Sequence, residues 1–129
     1  MDGTKNIYDM SIQAFMRSSN IQRPLEVETR TLDELKETLN VFDGDKDTMV
    51  TRIMLDNMTK KNDLGEIDVS MLDEAMAMIG DRKVETEASG NVTIESIRQI
   101  AKTGVQYISC GALTHSVTAL DISLNIETQ

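Results

Sequence analysis

Tryptophan is absent from this chain, and its only aromatic residues are two Tyr and two Phe. Leu, Ile, Val and nine Met must therefore fill the interior. Met fills irregular gaps but specifies packing loosely. A single cysteine, Cys110, rules out a disulfide within the chain and fits a reducing compartment. No apolar run approaches the length of a membrane span. Basic residues are few, 13 against 22 acidic, for a net charge of −9. Lys60-Lys61 and Arg82-Lys83 are the only adjacent basic pairs. Such a chain repels phosphate backbones and anionic membrane surfaces, so no nucleic acid or membrane is expected as partner. Met1 to Asp9 has neither the apolar core of a secretory signal nor the basic character of a transit peptide.

What is present is ordinary for a globular protein: 129 residues, 40% hydrophobic and 27% charged. That is enough for one modest core. Ile12 to Arg17 reads as the end of an amphipathic helix, broken by Ser18-Ser19-Asn20. Leu25 to Thr29 alternates apolar and acidic residues and reads as a strand. Thr31 and Glu34 form a T-x-x-E capping pattern, followed by Leu32, Leu35 and Leu39 at helical spacing. Val50 to Asp56 reads as a buried strand, and Thr59 to Asp68 as a polar segment turning at Gly65. Ser70 is placed as the cap of a helix with Met71, Leu72, Ala75, Met76 and Ile79 inward, stopped by Gly80. Val84 to Ala88 is a third strand. Thr93 caps a helix with Ile94, Ile97, Ile100 and Ala101 inward. Val105 to Cys110 is a fourth strand, and the alternation of Leu120 to Ile126 predicts a fifth. Strands alternating with helices imply an α/β fold with parallel pairing.

In parallel α/β folds ligands bind beyond the carboxyl ends of the strands. The residues expected there are Glu28, Asp56 with Asn57, Glu87 with Ser89-Gly90, and Gly111 to His115. Small residues let backbone N–H groups approach an anion, and a following helix N-terminus adds a favourable dipole. Carboxylates beside two such loops suit a sugar phosphate or a magnesium-bound pyrophosphate. Each position also has a plain structural use. Glu28 can be an outward strand residue, Asp56-Asn57 a turn, Ser89-Gly90-Asn91 a tight connection, and His115 a hydrogen-bonded surface group. Cys110 and the Met residues are read as packing. No second His or Cys exists for a zinc site.

Four segments carry a resemblance: EVETRTLDELKE (Glu26 to Glu37), TRIMLDNM (Thr51 to Met58), TEASGNVTIESI (Thr86 to Ile97) and TGVQYISCGALTHSVTALDISLNIET (Thr103 to Thr128). In this order and spacing they resemble quinolinate phosphoribosyltransferase, also called nicotinate-nucleotide pyrophosphorylase (carboxylating). SGNVT and the polar insertion around Asn62 to Asp68 look plant-like. The resemblance implies a pentosyltransferase of NAD biosynthesis. It would form nicotinate mononucleotide, pyrophosphate and CO2 from quinolinate and phosphoribosyl pyrophosphate, with Mg2+. It implies the C-terminal part of an incomplete (β/α) barrel, with four consecutive βα-type strands plus a terminal strand. Residues 1–24 would be a partial helix and lead-in, and residues 25–129 the C-terminal half of the barrel. The family's N-terminal sandwich and early barrel strands would lie outside this chain. So would the arginine, lysine and histidine groups that bind quinolinate. On its own, then, the chain is expected to be an inactive portion, or a phosphoribosyl-binding or subunit-interaction module.

By the same resemblance Glu28 and Asp56 are catalytic and magnesium-facing, while Ser89, Gly90, Gly111 and His115 bind phosphate. Asn91 stands where many members have glycine, which Asn tolerates in the left-handed region. The full enzyme is expected to be a dimer-based homo-oligomer. Its expected location is soluble and intracellular, in the cytoplasm or, given a transit peptide, the plastid.

Overall fold

The computed structural model describes residues 14–127. Residues 14–18 are helical and turn at 19–20, as the Ser18-Ser19-Asn20 break predicts. Ile12, the start of that predicted helix, lies outside the described residues. Four strands then form one all-parallel sheet: β1 (Leu25–Thr29), β2 (Val50–Asp56), β5 (Glu85–Ser89) and β6 (Tyr107–Ile108), in that order across the sheet. Helices α1 (Leu32–Gly44), α2 (Ser70–Ile79) and α3 (Ile94–Lys102) connect them. The segment between β2 and α2, expected only to be polar, forms a small antiparallel hairpin, β3 (Lys60–Lys61) with β4 (Ile67–Asp68). Gly65 turns it at φ 78°. Within it Asn62 Oδ1 accepts the Leu64 and Glu66 N–H groups, so one side chain closes the loop.

Strand side chains alternate between the two faces of a sheet. Val27, Thr29, Ile53, Leu55, Thr86 and Ala88 therefore point to one side, and all are buried. Leu35 and Leu39 of α1, Leu72, Ala75 and Ile79 of α2, and Ile100 of α3 are buried too, in one core cluster with the strand residues. All three helices thus cover the same face. A doubly wound sheet would carry helices on both faces; consecutive parallel strands with helices on one side are an arc of a barrel wall. The opposite face bears Glu26, Glu28, Arg52, Met54, Asp56, Glu85, Glu87 and Tyr107.

The helix starts follow local hydrogen bonding. Thr31 Oγ1 accepts the Glu34 N–H at 3.1 Å, as a cap should. The Glu34 carboxylate accepts from Arg30 N at 2.7 Å rather than from Thr31, so the expected reciprocal pair is displaced by one residue. Thr93 and Ser96 form a complete box. Ser70 is not a cap: it is the first residue of α2, and Asp68 Oδ1 accepts its N–H at 2.9 Å. Gly80 stops α2 with φ 57°. Arg82 then donates to the Met78 and Ile79 carbonyls at 2.7 and 2.9 Å and pairs with Asp43 at 2.8 Å. The ends of α1 and α2 are thereby fastened together.

Three expectations need correction. The strand expected at Leu120 to Ile126 is not formed: these residues are irregular, and Leu120, Ile122, Leu124 and Ile126 are all at least 80% exposed. Alternation specifies which side chains share a face but supplies no ladder partner, and none reaches this segment among the described residues. In α3 only Ile100 of the four apolar residues expected inward is buried. Ile94 is 89% exposed, because nothing among the described residues packs on that side. Finally, β6 is shorter than Val105 to Cys110. Gln106 Oε1 accepts the Thr86 N–H at 2.7 Å, so a side-chain amide takes the place of a ladder carbonyl.

Leu35 is fully buried at the centre of the α1 contact with the sheet. Leu35→Ala is expected to destabilise the chain by about 2–5 kcal/mol, measured by urea denaturation. A loss under about 1 kcal/mol would mean that α1 does not anchor the core.

Candidate active site

All four parallel strands end at one rim. Register fixes what meets there. Asp56 lies opposite Ser89, and Thr29 opposite Leu55, so Arg30, one residue beyond, stands level with Asp56. Arg30 Nε lies 2.9 Å from Glu28 Oε1 and 3.2 Å from Asp56 Oδ2. A terminal guanidinium nitrogen lies 2.7 Å from the same Glu28 oxygen. The bond to Glu28, its charge, and then the charge of Asp56 hold Arg30 above the usual arginine range. Glu28 and Asp56, paired by the sequence argument, are thus brought to one cation.

Asn57 continues the site with φ 56°. Its N–H donates to the Ser89 carbonyl at 2.9 Å and its Nδ2 to Asp56 Oδ2 at 3.1 Å. Asn91 Nδ2 donates to Asn57 Oδ1 at 3.4 Å. Gly90 and Asn91 both have positive φ, 96° and 50°, so of the two conformations in which Asn is tolerated here the chain adopts the left-handed one. A Cβ at Gly90 would lie 2.3 Å from Asn57 Oδ1 and 2.9 Å from Asn57 N. The loop after β5 is built on this contact with the end of β2.

The loop after β6 is joined to its neighbour from behind. Ser109 Oγ donates to Glu87 Oε1 in a short hydrogen bond, and Cys110 Sγ donates to the Val92 carbonyl at 3.4 Å. Gly111–Leu113 form a single 3-10 turn, and the His115 N–H donates to the Gly111 carbonyl at 3.1 Å. His115 Nδ1 lies 2.9 Å from Ser116 Oγ. A Cβ at Gly111 would lie 2.6 Å from His115 Nε2, so the imidazole lies over the glycine. Gly111 and His115 are exposed and hydrogen-bond neither to the Glu28–Asp56 pair nor to Ser89-Gly90.

Behind the rim, Arg52 organises the charged face. It donates to Glu85 at 2.8 and 3.1 Å and to Glu87 at 3.2 Å, and stacks 3.9 Å over the Tyr107 ring. Glu87 is buried, and its carboxylate is satisfied by Arg52 and Ser109. Partial removal from water, then a hydrogen bond with Glu87, raise Glu26 above its ordinary value. Arg52 and Tyr107 gave no motif signal in the sequence. Acids at alternate positions of β1 (Glu26, Glu28) and β5 (Glu85, Glu87) mark the charged face but not the contacts that Arg52 makes on it. A cavity of about 650 Å3 lies at the opposite rim, near Arg17, Arg23, Pro24 and Thr48, away from this chemistry.

With Glu28, Asp56, Ser89 and Gly90 assembled at one rim, the comparison with known proteins has a geometry to explain. The model of the quinolinate phosphoribosyl transferase C-terminal domain matches residues 5–125. The chain belongs to this family. It is 51% identical, over 92% of its length, to the chloroplastic nicotinate-nucleotide pyrophosphorylase (carboxylating) of Arabidopsis thaliana. It is 53% identical, over 92%, to the corresponding rice protein. It covers 34% and 31% of those two chains, so it spans about one third of the length of the curated relatives it matches. The crystal structure of nicotinate-nucleotide pyrophosphorylase from Ehrlichia chaffeensis superposes with a TM-score of 0.61 at 30% identity. That superposition covers 83% of this chain and 32% of the other. The α/β barrel-type wall expected of the family is thus the fold observed. No helix among the described residues is long and apolar enough to cross a membrane.

The two loops of this quinolinate phosphoribosyltransferase domain differ in what they tolerate. Gly90→Ala meets the Asn57 backbone at positive φ and is expected to destabilise by at least about 1 kcal/mol. Gly111→Ala meets only the tip of a mobile side chain, so its Tm is expected to stay near that of the parent while the His115 ring moves. Thermal melts and the His115 proton resonances check both; equal destabilisation would contradict the contacts described. Glu26 provides a pH test. A carboxyl whose folded value is raised keeps its proton longer in the folded chain, so stability falls as pH rises through that value. Glu26→Gln is expected to raise Tm at neutral pH and to lose that advantage below the ordinary value of 4.5. A pH-independent difference would exclude the shared proton.

Proposed function

We propose that this domain forms the phosphoribosyl and pyrophosphate half of a quinolinate phosphoribosyltransferase active site. The carrying observation is the register that sets Asp56 opposite Ser89, with Glu28 joined to Asp56 through Arg30. The reaction class fits those residue types. Pyrophosphate departs from the ribose C1 carbon, positive charge develops on the ring, and the quinolinate nitrogen attacks. Loss of CO2 from the adjacent ring carbon gives nicotinate mononucleotide. Glu28 and Asp56 favour a cationic ring by their charge. The exposed N–H groups of the Gly90-Asn91 and Gly111 loops, with the Ser89 hydroxyl, hold phosphate oxygens. His115 over Gly111 closes the second loop and presents its ring to the same ligand.

Two carboxylates at a rim suit Mg2+, which takes one or two protein carboxylates and completes its shell with water and phosphate oxygens. Glu28 and Asp56 already converge on a guanidinium, so the donor set accepts a cation. Among the described residues no group of three or more His, Cys, Asp or Glu converges to hold a metal without substrate. When bound, Mg2+ would neutralise the charge of the leaving pyrophosphate.

Quinolinate is a dianion, and Arg30, the cation that pairs with Glu28 and Asp56, is already engaged. We therefore assign quinolinate recognition to cations other than those of this rim, in a dimer-based assembly of the full-length enzyme. By itself the chain is read as a phosphoribosyl-binding module without turnover. The relatives' names point to an organelle, the plastid among them.

Calorimetry with nicotinate mononucleotide and Mg2+ tests this reading. Binding heat is expected for the parent chain and is lost in Ser89→Asp, which sets a carboxylate against the phosphate. Absence of heat in the parent, or undiminished heat in Ser89→Asp, overturns the assignment.

A further inference from the structure

Arg30 combines three properties that together define a role. Its guanidinium is the common partner of Glu28 Oε1 and Asp56 Oδ2, at 2.7–3.2 Å. Its side chain is 67% exposed, so charge and hydrogen bonds hold it, not packing. Its backbone is anchored separately: Arg30 N donates to the Glu34 carboxylate at 2.7 Å, and Thr31 caps α1 directly after it. The guanidinium can therefore leave the two carboxylates without disturbing the end of β1 or the start of α1. Asp56 keeps a partner when that happens, since Asn57 Nδ2 also donates to its Oδ2 at 3.1 Å.

A divalent cation cannot join this arrangement as it stands. Magnesium–oxygen bonds are about 2.0–2.1 Å long, and a cation bound to the Glu28 and Asp56 oxygens would occupy the space that the guanidinium fills. Two positive groups on the same oxygens also repel each other. One of the pair's two negative charges is thus already balanced by a cation that belongs to the chain.

We infer that Arg30 is an exchangeable counter-ion: it occupies the Glu28–Asp56 pair and must swing away for a divalent cation to bind there. This rests on the reading of Glu28 and Asp56 as the cation-facing pair of the site. It adds a positioning residue whose effect on cation affinity is opposite to that of a supporting ion pair. An Arg that merely holds the carboxylates in place strengthens cation binding. An Arg that occupies their oxygens weakens it. Once displaced, the guanidinium has its planar fork available to phosphate oxygens.

Titration with Mn2+, followed by loss of the free-ion electron paramagnetic resonance signal, tests this without turnover. Arg30→Ala and Arg30→Gln are expected to bind Mn2+ roughly three- to tenfold more tightly than the parent, the range set by two ion pairs made by an exposed guanidinium. Arg30→Lys restores a cation and returns affinity toward the parent value. The double variant Arg30→Ala, Asp56→Asn loses the gain. Equal or weaker binding in both single variants overturns the inference. So does a gain that survives in the double variant, or no Mn2+ binding by any variant. Nicotinate mononucleotide titrated alone against the same proteins separates the two readings. If its heat persists while Mn2+ affinity is unchanged by Arg30→Ala, the counter-ion role falls and the phosphate loops stand. If the Mn2+ gain appears without any nucleotide heat, the loops fall and the counter-ion role stands.

Discussion

The register between β1, β2 and β5 is the constraint on which the site depends. A slip of one residue would send every strand side chain to the opposite face. Ile53 and Leu55 would leave the core, and Arg52 and Asp56 would be driven into it. The same pairing that buries Val27, Ile53 and Ala88 sets three cross-strand rows on the other face. Glu26, Arg52 and Glu85 form one; Glu28, Met54, Glu87 and Tyr107 the next. Asp56 and Ser89 form the last, with Arg30 at their level. Hydrophobic burial, which is non-directional, therefore fixes a polar geometry that the polar groups could not fix alone.

Those rows place many carboxylates close together, and the arginines decide whether that is tolerable. A buried carboxylate without partners is strongly unfavourable. Glu87 escapes this through Arg52 and the Ser109 hydroxyl; Glu26, exposed beside it, holds its proton more tightly than usual. Glu85 moves the other way, its carboxyl held below the ordinary value by its bond to Arg52. Neighbouring acids on one sheet face thus reach opposite solutions according to which of them meets the guanidinium. At the rim Arg30 repeats the arrangement in solvent, where an ion pair is weak and can exchange.

The elements whose partners lie within the chain were legible from the sequence. β1, β2 and β5 are apolar on their inner face and flanked by turn residues, and the Thr31 and Thr93 caps gave the helix starts directly. That Glu28, Asp56, Ser89 and Gly90 meet at one rim followed from strand position, and the family resemblance picked out the same four together with Gly111 and His115. What failed was whatever depended on a neighbour. Leu120 to Ile126 alternates as a strand should, yet it has nothing to pair with among the described residues. Ile94 and Ile97 form a helical stripe left exposed, with no surface covering it among the described residues. The Gln106 side chain in the β6 ladder, the Asn62 loop closure and the Arg52–Tyr107 stack are side-chain events. Neither periodicity nor spacing encodes them.

The loops after β5 and β6 show how similar sequence can conceal unequal mechanics. Both are short, small-residue turns after parallel strands. Gly90 is locked: its left-handed φ and the nearby Asn57 backbone leave no room for a side chain, and Asn57 in turn is bonded to Ser89 and Asp56. Strand, glycine and carboxylate are held there as one unit. Gly111 faces only an imidazole, on a loop whose ties to the body are Ser109 and Cys110. Its ring can rotate aside and return. A site so built has one fixed wall and one adjustable wall. The fixed wall carries Asp56, and the adjustable one carries His115. The His115 ring can thus shift without disturbing the register that positions Asp56.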